Sequence, residues 1–141
     1  MTFLGKTASR GVVLVLFLLA GKTAHAEYLK IELRVYGLDC QVCARGVSKS
    51  VGRLDGVESV TVSLKTGTLE IVLKRGNTFK MSTLRKRIKE NGFRSMEAKV
   101  TAVGSYDGSS MFHILGSDES YDIGKPAEKG TTAVEVTFDV H

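Results

Sequence analysis

The sequence has few of the residues that mark disulfide-stapled or loop-rich folds. Its 141 residues include one proline, two cysteines and no tryptophan. Two cysteines are too few for the dense disulfide framework of small secreted domains. Hydrophobic residues make up 43% of the chain and charged residues 25%, as in an ordinary globular protein. The composition predicts one small domain, with room for an appendage.

The sequence also has no apolar run long enough to cross a bilayer, which takes roughly 20 residues. The apolar run at residues 12–20 follows two basic residues and precedes Ala24-His25-Ala26, the pattern of a secretory signal peptide with its cleavage site. We predict that residues 1–26 are removed, that the mature chain begins at Glu27, and that it has no stable membrane insertion. The protein is then exported, to the periplasm if the host is Gram-negative and otherwise as a secreted protein.

Positive charge is scarce once the signal peptide is removed. Residues 1–26 hold three basic residues and no acidic one, so 17 basic residues remain against 15 acidic ones, a net charge of +2. Nucleic-acid binding needs a concentrated basic surface, which this balance does not supply. The sequence also shows no acid pair, Ser/His/Asp set or glycine-rich nucleotide loop. It therefore predicts neither a nucleic-acid partner nor an enzyme.

Alternating apolar residues predict four strands in the first part of the mature chain. In the first of them, Leu29, Ile31, Leu33 and Val35 are predicted to face inward. Thr66-Gly67 predicts a hairpin turn between the second and third strands. The predicted strands are residues 28–36, 57–64, 68–74 and 93–103.

Two helices are predicted between these strands. The first begins after Asp39, its predicted N-cap, and Val42, Val47 and Val51 recur in it at helix-like intervals. The second begins at Ser82, also a predicted cap, and buries Met81, Leu84 and Ile88. Two helices on one face of an antiparallel sheet, in the order β-α-β-β-α-β, form a ferredoxin-like α+β fold.

The remaining residues, 105–141, are predicted to form further strands. Fewer than about 40 residues cannot bury a core of their own. We therefore expect this β-rich C-terminal extension to pack on the first domain, extend its sheet or mediate dimerisation. The predicted organisation is a signal peptide at 1–26, the α+β domain at 27–104 and the extension at 105–141.

Cys40 and Cys43 form a Cys-x-x-Cys pair in the loop that opens the first helix. Both sulfurs can converge there on one ion, while unpaired backbone N–H groups and the helix dipole favour thiolate over thiol. Two thiolates suit a soft ion such as Cu(I), Zn(II) or Hg(II). A disulfide between them would close a very short loop and restrain the unfolded chain little. Metal binding is therefore the favoured use of the pair.

The segment Gly37-Leu38-Asp39-Cys40-Gln41-Val42-Cys43, called the metal loop below, resembles the heavy-metal-associated domain family. That family includes copper chaperones, a periplasmic mercury-binding protein and soluble domains of metal-pumping P-type ATPases. The resemblance covers residues 28–103 and implies that Cys40 and Cys43 bind the metal and that Phe93 lies near the metal loop. It implies a metal chaperone or scavenger. The implied partner is a metal-transporting membrane protein or another thiol acceptor.

Two positions of the metal loop decide how closely the resemblance holds. Leu38 stands where the family usually has Met, and a buried Leu should serve there at little cost. Asp39 resembles the variants found on zinc, cadmium and lead pumps, and a carboxylate prefers a divalent ion to Cu(I). Asp39 is therefore a candidate third ligand, the alternative being a plain helix cap. The identity of the metal stays open.

A thiol-disulfide oxidoreductase is the alternative from another functional class, because Cys-x-x-Cys at a strand-to-helix junction is also a redox arrangement. Redox proteins of the thioredoxin type commonly carry an aromatic residue before the first cysteine and a cis-proline beside the pair. Here Asp39 precedes Cys40, and the only proline is Pro126. These departures favour metal binding over redox exchange.

Basic residues on both predicted helices suggest a docking face for an acidic partner that would accept the ion. The alternative is that these side chains are simply solvated, as the outer faces of helices usually are. The residues concerned are Arg45, Lys49 and Arg53 on the first helix and Arg85, Lys86 and Lys89 on the second.

Overall fold

The computed structural model describes residues 27–124 and 134–141, so the predicted signal peptide lies outside the described residues. Neither helix of this part combines the length and the apolar character that crossing a bilayer requires. The described elements are, in chain order, β1 Glu27–Tyr36, α1 Gln41–Val51, β2 Val57–Ser63, β3 Thr68–Leu73, α2 Met81–Glu90, β4 Arg94–Tyr106, β5 Met111–Ile114, β6 Ser120–Asp122 and β7 Val134–Val140.

The first six elements form an antiparallel sheet with the strand order β2-β3-β1-β4, together with two helices. Buried residues of both helices join one core with alternate residues of the strands, such as Leu33, Ile71 and Val100. The predicted ferredoxin-like α+β fold is confirmed.

The helices bury most of the residues that periodicity predicted. Met81, Leu84 and Ile88 of α2 are all buried, as are Val47 and Val51 of α1. Val42 was predicted with that set, but its side chain is 80% exposed. A spacing of five residues rotates Val42 about 140° around the helix from Val47, which takes it off the buried face.

A bulge at the start of β1 reverses the predicted alternation. The pairing of β1 with β4 shifts register between Tyr28 and Lys30, and an extra residue in one strand turns the following side chains over. Tyr28 is consequently fully buried, whereas Leu29 is only half-buried. The prediction that Leu29 faces inward with Ile31 was wrong for this reason.

The C-terminal extension joins the same sheet. Strand β4 pairs with β5 over Gly104–Tyr106 and with β7 over Ala98–Gly104, and β6 pairs with β5. The side chains of Phe112, Ile114 and Phe138 enter the common core. The extension therefore lengthens the sheet and packs on the first domain, and β4 runs through the predicted boundary after residue 104.

Asn77 fixes the loop that leads into α2. Its side chain is 5% exposed and donates to the carbonyl oxygens of Tyr28 at 2.7 Å and Lys74 at 2.8 Å. Its Oδ1 accepts from the Phe79 amide at 3.1 Å. Because each of these groups lies in or next to the core, the loop has one well-defined path to the first residue of the helix.

Candidate metal site

The metal loop begins where β1 ends at Tyr36. Gly37 has φ +84°, a backbone conformation that side-chain-bearing residues rarely adopt. Leu38 follows and is 2% exposed, so a buried aliphatic side chain holds the loop against the core. The next residue, Asp39, is exposed and the two cysteines are half-buried.

Cys40 and Cys43 lie at the start of α1 and are joined by a disulfide, with their Cα atoms 5.2 Å apart. Cys40 is the N-cap residue, in extended conformation, and its Sγ accepts a hydrogen bond from the Cys43 amide at 3.1 Å. The prediction that Asp39 caps this helix was wrong. The helix begins one residue later, so the sulfur occupies the position from which a side chain reaches the free N–H groups.

This geometry suits negatively charged sulfur once the disulfide is reduced. A helix N-terminus carries unpaired N–H groups and the positive end of the helix dipole, and one amide already points at Cys40 Sγ. Two thiolates on residues whose Cα atoms are this close can reach one ion together. Such a pair is selective for soft ions, because sulfur competes poorly with water for Mg²⁺ or Ca²⁺.

Asp39 adjoins the pair but does not complete a larger ligand set. Within residues 27–124 and 134–141, no group of three or more His, Cys, Asp and Glu residues could hold a metal ion. Asp39 lines a cleft of about 350 Å³ together with Tyr36, Leu64 and Met96. The structure thus brings Cys40 and Cys43 together, and the role of Asp39 as a third ligand stays a prediction.

Phe93 lies beside the metal loop. Its ring carbon Cδ1 is 3.9 Å from the place where a Cβ on Gly37 would be. The Phe93 amide donates to the Ile88 carbonyl at 3.2 Å, so the position of the ring follows that of α2. The aromatic residue is therefore where the resemblance implied it would be.

The basic residues of α2 divide into two groups. Arg85 donates to Ser95 Oγ at 3.2 Å and to the Met96 carbonyl at 3.0 Å, and Arg87 donates to the Ser50 carbonyl at 3.1 Å. These two arginines are half-buried, whereas Lys86 and Lys89 are exposed. A cleft of about 610 Å³ is lined by Arg85, Lys86, Lys89, Phe93, Arg94 and Ser95.

The N-terminus of α2 is capped by a residue that local sequence patterns do not identify. Lys80 stands at the N-cap without a side-chain cap, and Glu119 of the extension accepts from the amides of Met81 at 3.1 Å and Ser82 at 3.4 Å. The prediction that Ser82 caps this helix was wrong. Cap rules compare residues a few positions apart, and Glu119 is 38 residues beyond Met81.

Residues 32–94 match the family model of the heavy-metal-associated domain. This match confirms the predicted resemblance to that family over these residues. The matched segment contains the metal loop, both helices and the first residue of β4. The extension lies outside the match.

Proteins similar to this chain include a copper chaperone, CopZ of Bacillus subtilis (strain 168). The two are 46% identical over 39 residues, which is 28% of this chain and 56% of the chaperone, so the match spans about half of the chaperone's length. Among solved structures, a CopZ metallochaperone is 24% identical with a TM-score of 0.45, covering 48% of this chain and 98% of its own. Oxidized MerP from Ralstonia metallidurans CH34 is 23% identical with a TM-score of 0.45, covering 49% and 94%.

Proposed function

We propose that this protein is an exported, non-catalytic carrier that binds one soft metal ion between the thiolates of Cys40 and Cys43. The ion passes to a partner by thiolate exchange. The supporting observation is the placement of both cysteines at the N-terminus of α1, with Cys40 Sγ already accepting the Cys43 amide. Two-coordinate binding leaves the ion open to an incoming ligand, so transfer is kinetically accessible even when binding is tight.

Stoichiometric metal titration tests the binding claim. The mature protein is reduced, freed of reductant without oxygen, and titrated with Cu(I) or Zn(II) against a competing chelator. We expect one ion per chain for the reduced protein and none for the disulfide form. The Cys40→Ser, Cys43→Ser double variant should bind no ion, and binding by that variant equal to wild type overturns the proposal.

Asp39 determines which ion the site prefers. Because Cys40 is the capping residue of α1, the Asp39 carboxylate is not needed as the cap and is close in sequence to both sulfurs. A carboxylate added to two thiolates favours Zn(II) over Cu(I). In Asp39→Asn we expect Zn(II) affinity to fall about tenfold, while Cu(I) affinity stays the same; equal Zn(II) affinity removes Asp39 from the ligand set.

The partner presents an acidic surface next to its own thiols. Exposed Lys86 and Lys89 line one cleft together with Phe93, whose ring lies beside the metal loop. Arg45 and Lys49 line a second cleft, of about 410 Å³, on α1. Charges placed around an interface in this way mainly raise the rate of encounter with a complementary partner.

Charge reversal tests the acidic partner. Lys49→Glu and Lys89→Glu should slow metal transfer to an acidic acceptor and reduce its dependence on salt. Lys74→Glu is the control, because β3 begins at Thr68 near the loop end of the sheet and Lys74 follows its other end. Transfer that is unchanged by both reversals, for every candidate acceptor, removes this docking face.

Export determines the working redox state of the pair. An oxidising compartment closes Cys40 and Cys43 into the disulfide seen here, which blocks metal binding unless metal or a reductant keeps the thiols free. Mass measurement of the protein from its own host tests export, with Glu27 expected as the first residue. A cytosolic chain that retains residues 1–26 contradicts it.

The disulfide itself supports one second candidate, thiol-disulfide exchange. The two functions differ in stoichiometry. A carrier takes up one ion per chain, whereas an oxidoreductase turns over many equivalents of a disulfide substrate. Catalytic turnover by the reduced protein, lost in the double cysteine variant, would establish the redox function in place of the carrier function.

A further inference from the structure

The extension contacts α2 at two separate places. At the first, the Glu119 carboxylate accepts from the amides of Met81 and Ser82, which have no acceptor from their own helix. The buried Tyr28 hydroxyl also donates to Glu119 Oε2 and lies 2.9 Å from the Tyr121 hydroxyl. One carboxylate thereby joins β1, α2 and the extension.

The second contact lies at Arg85, one turn along α2. Its guanidinium donates to Ser95 Oγ and the Met96 carbonyl of β4, and at 3.5 Å to the Val140 carbonyl of β7. Val140 is also paired with Ala98 in the sheet. The extension is therefore attached to α2 at its first turn through Glu119 and one turn later through Arg85.

Helix α2 leads to Phe93, whose ring lies beside the metal loop. Its C-terminal turn ends in the hydrogen bond from the Phe93 amide to the Ile88 carbonyl, and the Phe93 ring packs beside Gly37. The backbone hydrogen bonds of this 10-residue helix link each turn to the next, so its first turn is coupled to its last. Release of its first turn therefore changes how firmly Phe93 is held.

We propose that Glu119 is a positioning residue for the metal site, acting through α2 and Phe93 on the metal loop. The inference rests on the proposed function only for its metal readout. Its structural part concerns the accessibility of the two cysteines, which can be measured without metal. It assigns a role in the metal site to the extension, which lies outside the residues that match the family.

Two readouts on metal-free Glu119→Ala, amide exchange and thiol modification, test the proposal, and a third uses bound metal. Hydrogen exchange at Met81 and Ser82 should rise about fivefold, as loss of a helix cap predicts. The rate at which a disulfide reagent modifies reduced Cys40 and Cys43 should rise with it, and release of bound Cu(I) to a chelator should become faster. Glu119→Gln keeps the shape and one of the two acceptor oxygens, so it should lie between wild type and Glu119→Ala and serves if the alanine variant does not fold.

Asp118→Ala is the matched control, because its carboxylate makes an exposed ion pair with Lys80 at 2.8 Å and such pairs contribute little. It should leave both rates at the wild-type value. Faster amide exchange in Glu119→Ala with unchanged thiol reactivity overturns the proposal, since Glu119 then only caps the helix. Unchanged values for both readouts overturn it as well. A wild-type protein that binds no metal contradicts the proposed function and leaves the thiol measurement valid.

Discussion

The Cys43 amide donates a hydrogen bond to Cys40 Sγ at 3.1 Å, so the first cysteine of the pair is at once a candidate ligand and the cap of α1. Its two roles make different demands on the side chain. Metal binding requires sulfur, whereas capping requires only a hydrogen-bond acceptor on a side chain long enough to reach the Cys43 amide.

Substitutions at Cys40 should separate these roles. Under reducing conditions we expect Cys40→Ser to keep the stability of the reduced wild type, because serine is a strong N-cap residue. Cys40→Ala should lose about 1 kcal/mol. Urea unfolding measures both, and equal stability of the serine and alanine variants would show that the sulfur does not cap the helix.

Asn77 is expected to be among the most sensitive polar positions. Its replacement by alanine leaves the Tyr28 and Lys74 carbonyls and the Phe79 amide without their partner. Buried groups left unsatisfied should lower the free energy of unfolding by about 3 kcal/mol. Thr78→Ala, one exposed residue further on, is the control and should stay within about 0.5 kcal/mol of wild type.

Two glycines should respond to alanine in opposite ways. A Cβ on Gly104 would overlap the His113 carbonyl and lie 2.6 Å from the Phe112 ring, which should destabilise the protein by about 2 kcal/mol. A Cβ on Gly46, inside α1, meets nothing within 4 Å. Gly46→Ala should therefore stabilise by about 0.5 to 1 kcal/mol. Chemical unfolding measures the stability of both variants. A Gly104→Ala variant as stable as wild type would contradict the packing of the extension.

Asp107 should titrate well below an ordinary aspartate. Hydrogen bonds from the Ser109 side chain and amide, and then His113, lower the pKa of Asp107 from 3.8 to about 2. A depressed pKa means that the contribution to stability is present above pH 3.8 and is lost as the pH falls through about 2. An NMR titration of the carboxyl carbon should show this midpoint, and Ser109→Ala should raise it. A wild-type midpoint at 3.8 contradicts the turn geometry.

The sequence predicted the first domain because its pattern is local. Apolar residues such as Leu69 and Ile71 alternate with polar ones in β3, and Leu84 and Ile88 are one helical turn apart in α2. Each element thus carries its own buried face. The Cys-x-x-Cys pair was found for the same reason, since both cysteines lie within one turn of α1.

The parts that could not be predicted depend on residues far apart in the chain. Glu119 caps α2 from 38 residues away, and the bulge that buries Tyr28 in place of Leu29 belongs to the pairing of β1 with β4. Neither leaves a mark at short sequence spacing. The sequence also left open whether the extension packs on the first domain, extends its sheet or mediates dimerisation. The pairing of strands that are far apart in the chain depends on their register, which the sequence of one strand alone does not specify.

The central claim is that the sulfurs of Cys40 and Cys43 bind the ion directly. X-ray absorption at the metal edge of zinc-loaded, reduced protein measures this most directly. We predict two sulfur ligands at about 2.3 Å, and no bound zinc in the Cys40→Ser, Cys43→Ser variant prepared in parallel. A ligand shell of oxygen and nitrogen alone, or a variant that keeps its zinc, would contradict the account.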